Sequence, residues 1–283
     1  MNKLAKRLAT SACLAVTAGA AVAQDAQKVF FLLPNSTTIR FESRDAPFFV
    51  ESLKEYAPDA DVIVQNGEGD PARQQRLVED AISQGADVIL YTSSDANLAA
   101  GALAAAEEAG VPVVLYDHDA VGGRVEAHVV FDSLSVGQAQ GSRAAELIEA
   151  MDQEVVRVAR VKGNQGEFGT GQYEAGQNEY LQPLIDSGRV EVVCEQYTQN
   201  WDPVLAQSFA EDCLTKTGGE VDVFLGMNDG TTGGSVAALI SQGYGPGDIL
   251  VTGGQDATVE ALRYVATGWQ DNSVLKDLAV EAD

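Results

Sequence analysis

Residues 61–91, DVIVQNGEGDPARQQRLVEDAISQGADVILY, decide the fold. An apolar run from Asp61 to Gln65 leads to Asp70-Pro71, then to a helix-length segment ending at Gln84, then to Gly85 and a second apolar run from Asp87 to Tyr91. Asp followed by Pro is a helix cap with a first-turn proline, and Gly just past the periodic stretch stops the helix. The apolar runs are short, rich in Val, Ile and Leu, and continuous, as strands covered on both faces of a parallel sheet are. The unit is therefore βαβ with a right-handed crossover.

The same alternation extends outward. Lys28 to Leu33 and Pro112 to Tyr116 read as further strands, and Ala46 to Ala57 and Asn97 to Glu108 as helices, the latter stopped by Gly110. After Phe131-Asp132-Ser133 the pattern begins again. Helices are expected at about 136–150, 171–186, 203–215, 233–242 and 257–267, with strands at 157–161, 190–196, 221–226 and 249–252. The joining turn has no Pro- or Gly-rich linker character and reads as a strand crossing a tight hinge. The fold class is α/β, with two parallel-sheet βα lobes, and a chain of 283 residues is long enough for two cores.

The first 23 residues read as a secretory signal: Lys3, Lys6 and Arg7, an apolar stretch from Leu8 to Val22, and Ala21-Val22-Ala23 before Gln24. A membrane anchor fits less well, because the stretch is short and Ala-rich. Cys13 lies inside it, where lipoprotein processing would not use it. Without this leader 18 less 3 leaves 15 basic side chains against 42 acidic ones, a formal charge of −27. Nucleic acid is then a poor partner, and the acidity reads as solubility of an exported protein.

Four apolar runs end on a carboxylate: VVLYD at Asp117, HVVFD at Asp132, FLGMND at Asp229 and TGGQD at Asp256. In an open α/β sheet such positions face the crevice where ligands bind, and a ring of acceptors there suits a neutral ligand rich in hydroxyls, such as a sugar. Trp201 and Phe41 are candidate ring platforms, with a core role as the plain alternative and Trp201 read as exposed. Paired carboxylates also allow a glycosidase, which would need one raised pKa that sequence does not display.

Other motifs narrow the field. KGNQGEFGTG (Lys162 to Gly171) lacks the phosphate-loop ending and the dinucleotide spacing, and Glu167 would repel an anion. With only His118 and His128, no cluster has metal-ligand spacing and no catalytic triad is visible, so neither metal nor cofactor is called for. His118, between Asp117 and Asp119, can bond a ligand hydroxyl, whereas His128 reads as structural. Cys194 and Cys213 form an even pair for an oxidising compartment, either bridged or as two buried thiols.

With these residues in place, the chain resembles the periplasmic sugar-binding proteins of ABC importers, type I fold, and within them the xylose-binding branch. The resemblance runs from about Lys28 to Lys276. It is carried by YDHDA where the family has YDR, FDSLSVG for its FDNxxVG, GQNEYLQPLIDSGRVEVV, NDGTTGG for its NDATAGG, and GGQD followed by SVLK for its GQD and TVYK.

The resemblance implies a monomeric, non-enzymatic periplasmic receptor with two lobes joined by a hinge, 24–132 with 276–283 forming one lobe and 133–275 the other. It would close on a monosaccharide, xylose or a similar aldose, and deliver it to an ABC permease in the inner membrane. The implied ligand contacts are Arg40, Phe41, Asp117, His118, Glu167, Trp201, Asn228, Asp256 and Lys276. His118 stands where the xylose branch has Arg, and Glu167 where it has Asp. A bidentate fork is lost with that Arg, which bears on the identity of the sugar.

The same fold could serve a chemoreceptor or sensor kinase instead of import. A cytoplasmic repressor core is disfavoured by the leader and by the absence of a basic helix-turn-helix segment. The segment after SVLKD is too short for an independent helix, so a C-terminal truncation with an incompletely covered first lobe is expected.

Overall fold

The computed structural model describes residues 27–283; the expected secretory signal, residues 1–23, lies outside the described residues. Strand β1 (Lys28–Leu33) is flanked by β2 (Asp61–Asn66) and β3 (Val88–Tyr91), and β4 (Val113–Tyr116) and β5 (Ala127–Val129) continue the sheet in the order β2-β1-β3-β4-β5, all parallel. Side chains alternate across it. Phe30, Leu32, Ile89 and Leu115 meet α2 (Pro71–Ser83) and α3 (Ala100–Ala109) through Val78, Leu103 and Ala106. Phe31, Leu33, Leu90 and Tyr116 face the other side, against Phe41, Ala46 and the partly buried Phe49 of α1 (Ala46–Tyr56). Both faces of β1, β3 and β4 are covered, which is why these strands carry no polar alternation.

The local signals act as read. The Asp70 carboxylate accepts from Ala72 N at 2.9 Å to cap α2. Gly85 and Gly110 take φ of 76° and 72°, the left-handed region where a Cβ is disfavoured, and so end α2 and α3.

A second parallel sheet holds β6 (Val156–Lys162), β7 (Val190–Tyr197), β8 (Val223–Gly226) and β9 (Leu250–Thr252) in the order β7-β6-β8-β9. Helices α4 (Ser133–Glu149) and α5 (Phe168–Asp186) bury Ala144, Ile148 and Leu181 with Val158, Val223 and Leu225 on one face. On the other, α6 (Pro203–Thr217) and α7 (Asp229–Ser241) bury Phe209, Leu214, Val236 and Leu239 with Val161 and Phe224. The backbones of α4 and α5 approach so closely that a Cβ at Gly141 would meet the backbone of Gln177. Beyond β9, the two-residue strands β10 (Gly254–Gln255) and β11 (Ser273–Val274) pair in parallel around α8 (Val259–Thr267). Cys194 of β7 and Cys213 of α6 are joined as a disulfide, with Cα atoms 6.0 Å apart.

Three helices begin earlier than the sequence suggests, two of them because polar residues at their starts act as caps. Asp132 accepts from Ser135 N at 3.1 Å, so α4 starts at Ser133, and Asn228 forms a reciprocal capping box with Thr231, so α7 starts at Asp229. Helix α5 starts at Phe168, while α3 starts later than expected, at Ala100. Strand β5 ends at Val129, so Phe131 to Ser133 does not continue as strand.

After β11 the chain forms a short helix, α9 (Leu278–Ala282), held by tertiary contacts. Leu278 and Ala282 are buried, α9 packs on α1, and Ser52 Oγ donates to Asp283 at 2.6 Å. Beside α1 and edge strand β2, Val50, Leu53, Ala57, Ala60 and Val62 line an open groove of about 170 Å³. Among the described residues, no helix is long and apolar enough to cross a membrane.

Candidate functional site

The carboxyl ends of the strands supply the site. Arg40 and Phe41 follow β1, Asp117 and His118 follow β4, Glu167 follows β6, Trp201 follows β7, Asn228 follows β8, Asp256 follows β10 and Lys276 follows β11. The structure brings all nine into one region between the two sheets. That is the crevice position expected for open parallel sheets.

Its centre is a buried ionic cluster. Arg40, 2% exposed, pairs through Nη2 with Asp117, through Nε with Asp256 at 3.7 Å, and through Nη1 with Asp45 at 3.3 Å and Glu281 at 3.6 Å. Lys276 Nζ lies 3.2 Å from Asp256 Oδ1 and 3.5 Å from Asp117 Oδ1. Arg40 and Lys276 thus span carboxylates that belong to both halves of the chain. Burial raises the Asp117 pKa, but Arg40 and Lys276 together overcome it and hold this carboxyl well below the usual range. For Lys276, burial and the Arg40 charge lower the pKa, yet Asp117, Tyr173 and Asp256 keep it above the ordinary lysine value.

Backbone strain marks the same two acids. Asp117 has φ of 58° and Asp256 φ of 93°, with Ala257 following at 47°. Such conformations cost non-glycine residues about 1–3 kcal/mol and persist where surroundings over-determine them. Here Asp117 N donates to Val129 O at 2.8 Å and Asp256 N to Val274 O at 3.1 Å, aiming both carboxylates inward.

His118 Nδ1 bonds the Ser93 carbonyl oxygen at 2.8 Å, so this nitrogen carries the proton. Nε2 is turned toward Asp117 at 3.4 Å and Glu167 at 3.8 Å. Glu167 is buried, and its pKa is raised by burial against the opposing pull of His118 and of two hydrogen bonds. Those bonds come from Trp201 Nε1 at 2.9 Å and Asn164 Nδ2 at 2.8 Å. The Asn228 amide oxygen accepts from Thr231 N at 2.8 Å, which leaves its NH₂ as the group available to a cleft ligand.

The aromatic residues depart from the sequence expectation. Trp201 is only 5% exposed, lying in a single 3₁₀ turn (Gln199–Trp201) with its ring 6.1 Å from Tyr173, edge to face. Phe41 begins a π-helical turn (Phe41–Asp45) and is buried in the first core, where its ring meets His118 edge-on at 5.5 Å and Arg40 stacks over it at 4.8 Å. Both nonetheless line the cleft.

Two of the four strand-end carboxylates lie apart from the cluster. Asp132 is an exposed helix cap. Asp229 is buried and accepts from Thr258 N and Ser273 Oγ, both at 2.7 Å, tying α7 to the β10–β11 segment. Burial, with the Asp256 charge, pushes its pKa up to about 7 against those two bonds.

Thr38, Arg40, Phe41, Asp117, His118, Tyr173, Trp201, Asn228, Gln255, Asp256 and Lys276 enclose a cavity of only about 20 Å³, room for one water. It adjoins a wider groove of about 570 Å³, which shares Thr38, Arg40, Asn228 and Asp256 and is walled by Ile39, Val204 and Tyr264. At that volume the inner cluster has no room for a molecule larger than water. Among the described residues, no group of His, Cys, Asp and Glu is arranged to hold a metal ion.

Residues 29–283 match the periplasmic binding protein domain family. The chain belongs to that family. Among similar proteins are the D-xylose-binding periplasmic protein of Escherichia coli strain K12, 27% identical over 240 residues (85% of this chain, 70% of that protein), and the multiple sugar-binding periplasmic receptor ChvE of Rhizobium radiobacter, 26% identical over 269 residues (91% and 75%). An ABC transporter solute-binding protein from Clostridium phytofermentans, solved with bound β-D-glucose, superposes with a TM-score of 0.82 at 24% identity, covering 90% of this chain and 81% of that one. This last likeness concerns the fold. In this chain two parallel sheets present their strand ends to a common cleft.

Tyr173, Thr38 and Gln255 also line the cleft but were not singled out from sequence. Tyr173 projects from the first turns of α5, just after Glu167, and helical position alone gives no sign that such a residue turns inward. Asp45 and Glu281, which back Arg40, carried no motif either.

Proposed function

We propose that this protein is the periplasmic substrate-binding component of an ABC transporter, taking a monosaccharide, D-xylose or a similar aldose, between its two sheets and delivering it to a membrane permease. The observation that carries the reading is the buried cluster of Arg40, Asp117, Asp256 and Lys276. It places charged donors and acceptors from both halves of the chain on one spot, with Asn228, Glu167, Trp201 and Phe41 around it. Charged donors and acceptors suit hydroxyl groups, which both give and take hydrogen bonds.

A sugar entering the cleft replaces each interlobe ion pair with a pair of hydrogen bonds to its hydroxyls. The two lobes are then linked through the ligand, and the closed shape reports occupancy to a permease. The sequence relatives support the class, since one is named for D-xylose and another for multiple sugars. No chemical step is proposed. The site residues are Arg40, Phe41, Asp117, His118, Glu167, Trp201, Asn228, Asp256 and Lys276, and residues 1–23 are proposed to direct export.

The test is a thermal-shift screen of pentoses and hexoses followed by calorimetry. A ligand of the native state raises stability by RT ln(1 + [L]/Kd), so an aldose at millimolar concentration is expected to raise the melting temperature and to be recovered unchanged. Absence of a shift with every monosaccharide would refute the sugar reading.

A further inference from the structure

Arg40 is gripped on two sides. Its Nη2 and Nε face Asp117 and Asp256, both of which line the cleft, whereas Nη1 faces Asp45 at 3.3 Å and Glu281 at 3.6 Å, neither of which does. Asp45 sits in the same π-helical turn that Arg40 precedes, and the Tyr116 hydroxyl donates to its Oδ1 at 2.8 Å. Glu281 comes from the far end of the chain. Helix α9 carries it onto that turn, and its side chain is 2% exposed.

Neither Glu281 oxygen has a hydrogen-bond partner within the protein, and Arg40 Nη1 has none either. A buried carboxyl with no hydrogen bond is costly, and its nearest cation is the guanidinium, whose third edge makes ion pairs but no hydrogen bond. The packing requirements of α9 do not explain this residue, because Leu278 and Ala282 already provide its buried apolar contacts.

We infer that Glu281 is a positioning residue of the cleft: together with Asp45 it holds the Nη1 side of Arg40, so that Nη2 and Nε are presented to the ligand in a fixed orientation. The guanidinium is planar, and fixing one edge fixes the other two. When a ligand takes over the contacts of Asp117 and Asp256, the ionic partners left to Arg40 within the protein are Asp45 and Glu281. Glu281 therefore touches no ligand, yet governs how well Arg40 meets one. The inference rests on the sugar reading for its effect on binding, but the Glu281–Arg40 coupling can be measured without any sugar.

The experiment compares wild type, Glu281→Ala, Glu281→Gln, Arg40→Met and the Glu281→Ala/Arg40→Met double variant, by calorimetry with the aldose that stabilises the wild type and by melting without ligand. Glu281→Ala is expected to weaken sugar binding roughly tenfold, the size of one lost interaction with a charged group. Glu281→Gln keeps an acceptor oxygen at the same reach and is expected to stay within roughly threefold of wild type. In the Arg40→Met background, Glu281→Ala should change neither affinity nor melting temperature by as much as it does alone. Should Arg40→Met fail to fold, Arg40→Lys, which lacks the Nη1 edge, replaces it.

Unchanged affinity in Glu281→Ala, or an equal loss with Arg40 present and absent, would overturn the inference and leave Glu281 as a packing residue. If no sugar binds the wild type, the sugar reading fails and the melts alone decide. Sub-additive losses then uphold the hold on Arg40, and additive losses overturn it.

Discussion

Arg40 and Asp256 meet at 3.7 Å across the cleft, one following the first strand of the five-stranded sheet and the other following β10 on the opposite side. Asp256 also faces Lys276 at 3.2 Å, and its Oδ1 has no hydrogen bond within the protein. It is a buried acceptor between two cations, poised for a hydroxyl.

Asp256→Ala is accordingly expected to weaken sugar binding by about 1–3 kcal/mol, through hydroxyls left unpaired in an enclosed site. The fold should persist, since both cations retain Asp117. Calorimetry showing equal affinity in variant and wild type would take Asp256 out of the site.

Gly163 gives a test of the aromatic wall. A Cβ at this position would run into the six-membered ring of Trp201, which is buried and has little room to yield. Gly163→Ala should displace the indole from Glu167 and lower sugar affinity about tenfold, in line with the loss of one hydrogen bond to a charged group. Tryptophan fluorescence should change in parallel, and an unaltered spectrum with unaltered affinity would show that the ring is not held as described.

Asp229 predicts a pH dependence of stability. Its carboxyl titrates at about 7 in the folded chain, above its ordinary value, because it is buried near Asp256. Between about pH 4 and pH 7 the folded state then holds a proton that the unfolded state has lost, so this group's contribution falls as pH rises and levels off above pH 7. Asp229→Asn removes the effect. The variant's stability relative to wild type should therefore grow between pH 4 and pH 7, by up to roughly 4 kcal/mol. Denaturant melts giving a constant difference across that range would contradict the assignment.

The Cys194–Cys213 bridge closes a loop with a sequence separation of 19. A loop of that length is worth about 3 kcal/mol on the chain-entropy model. Reduction, or Cys194→Ser with Cys213→Ser, should lower the melting temperature by several degrees. Thiol titration of denatured, unreduced protein beginning at Gln24 should find none, and two thiols would show that the bridge does not form.

The βα alternation was legible because parallel strands buried on both faces need continuous apolar runs, and because Asp70-Pro71, Gly85 and Gly110 have backbone preferences that act locally. The strand-end acids were legible only as a set. Asp132 and Asp117 look alike in sequence, since each follows an apolar run, yet the first caps α4 and the second faces Arg40. A cap and a ligand acceptor are the same side chain until the direction of the next segment is known. Trp201 reads as exposed in sequence for a similar reason: it precedes a helix start, as many surface residues do, but the turn at Asn200, with φ of 53°, folds it inward onto Tyr173.

What the sequence determined by itself was the order of strands and helices, the arrival of polar residues at strand ends, and the count of cysteines, because periodicity, capping and turn chemistry operate within a few residues. Which carboxylates meet which cations was decided only by the tertiary structure. Arg40, Asp117 and Asp256 are far apart along the chain, Lys276 and Glu281 lie near its end, and their pairing and burial arise where the strand ends of the two sheets meet and where α9 packs against the turn at Phe41–Asp45. Coulomb energy and desolvation depend on distance in space and on exclusion of water, and neither is fixed until the chain has folded.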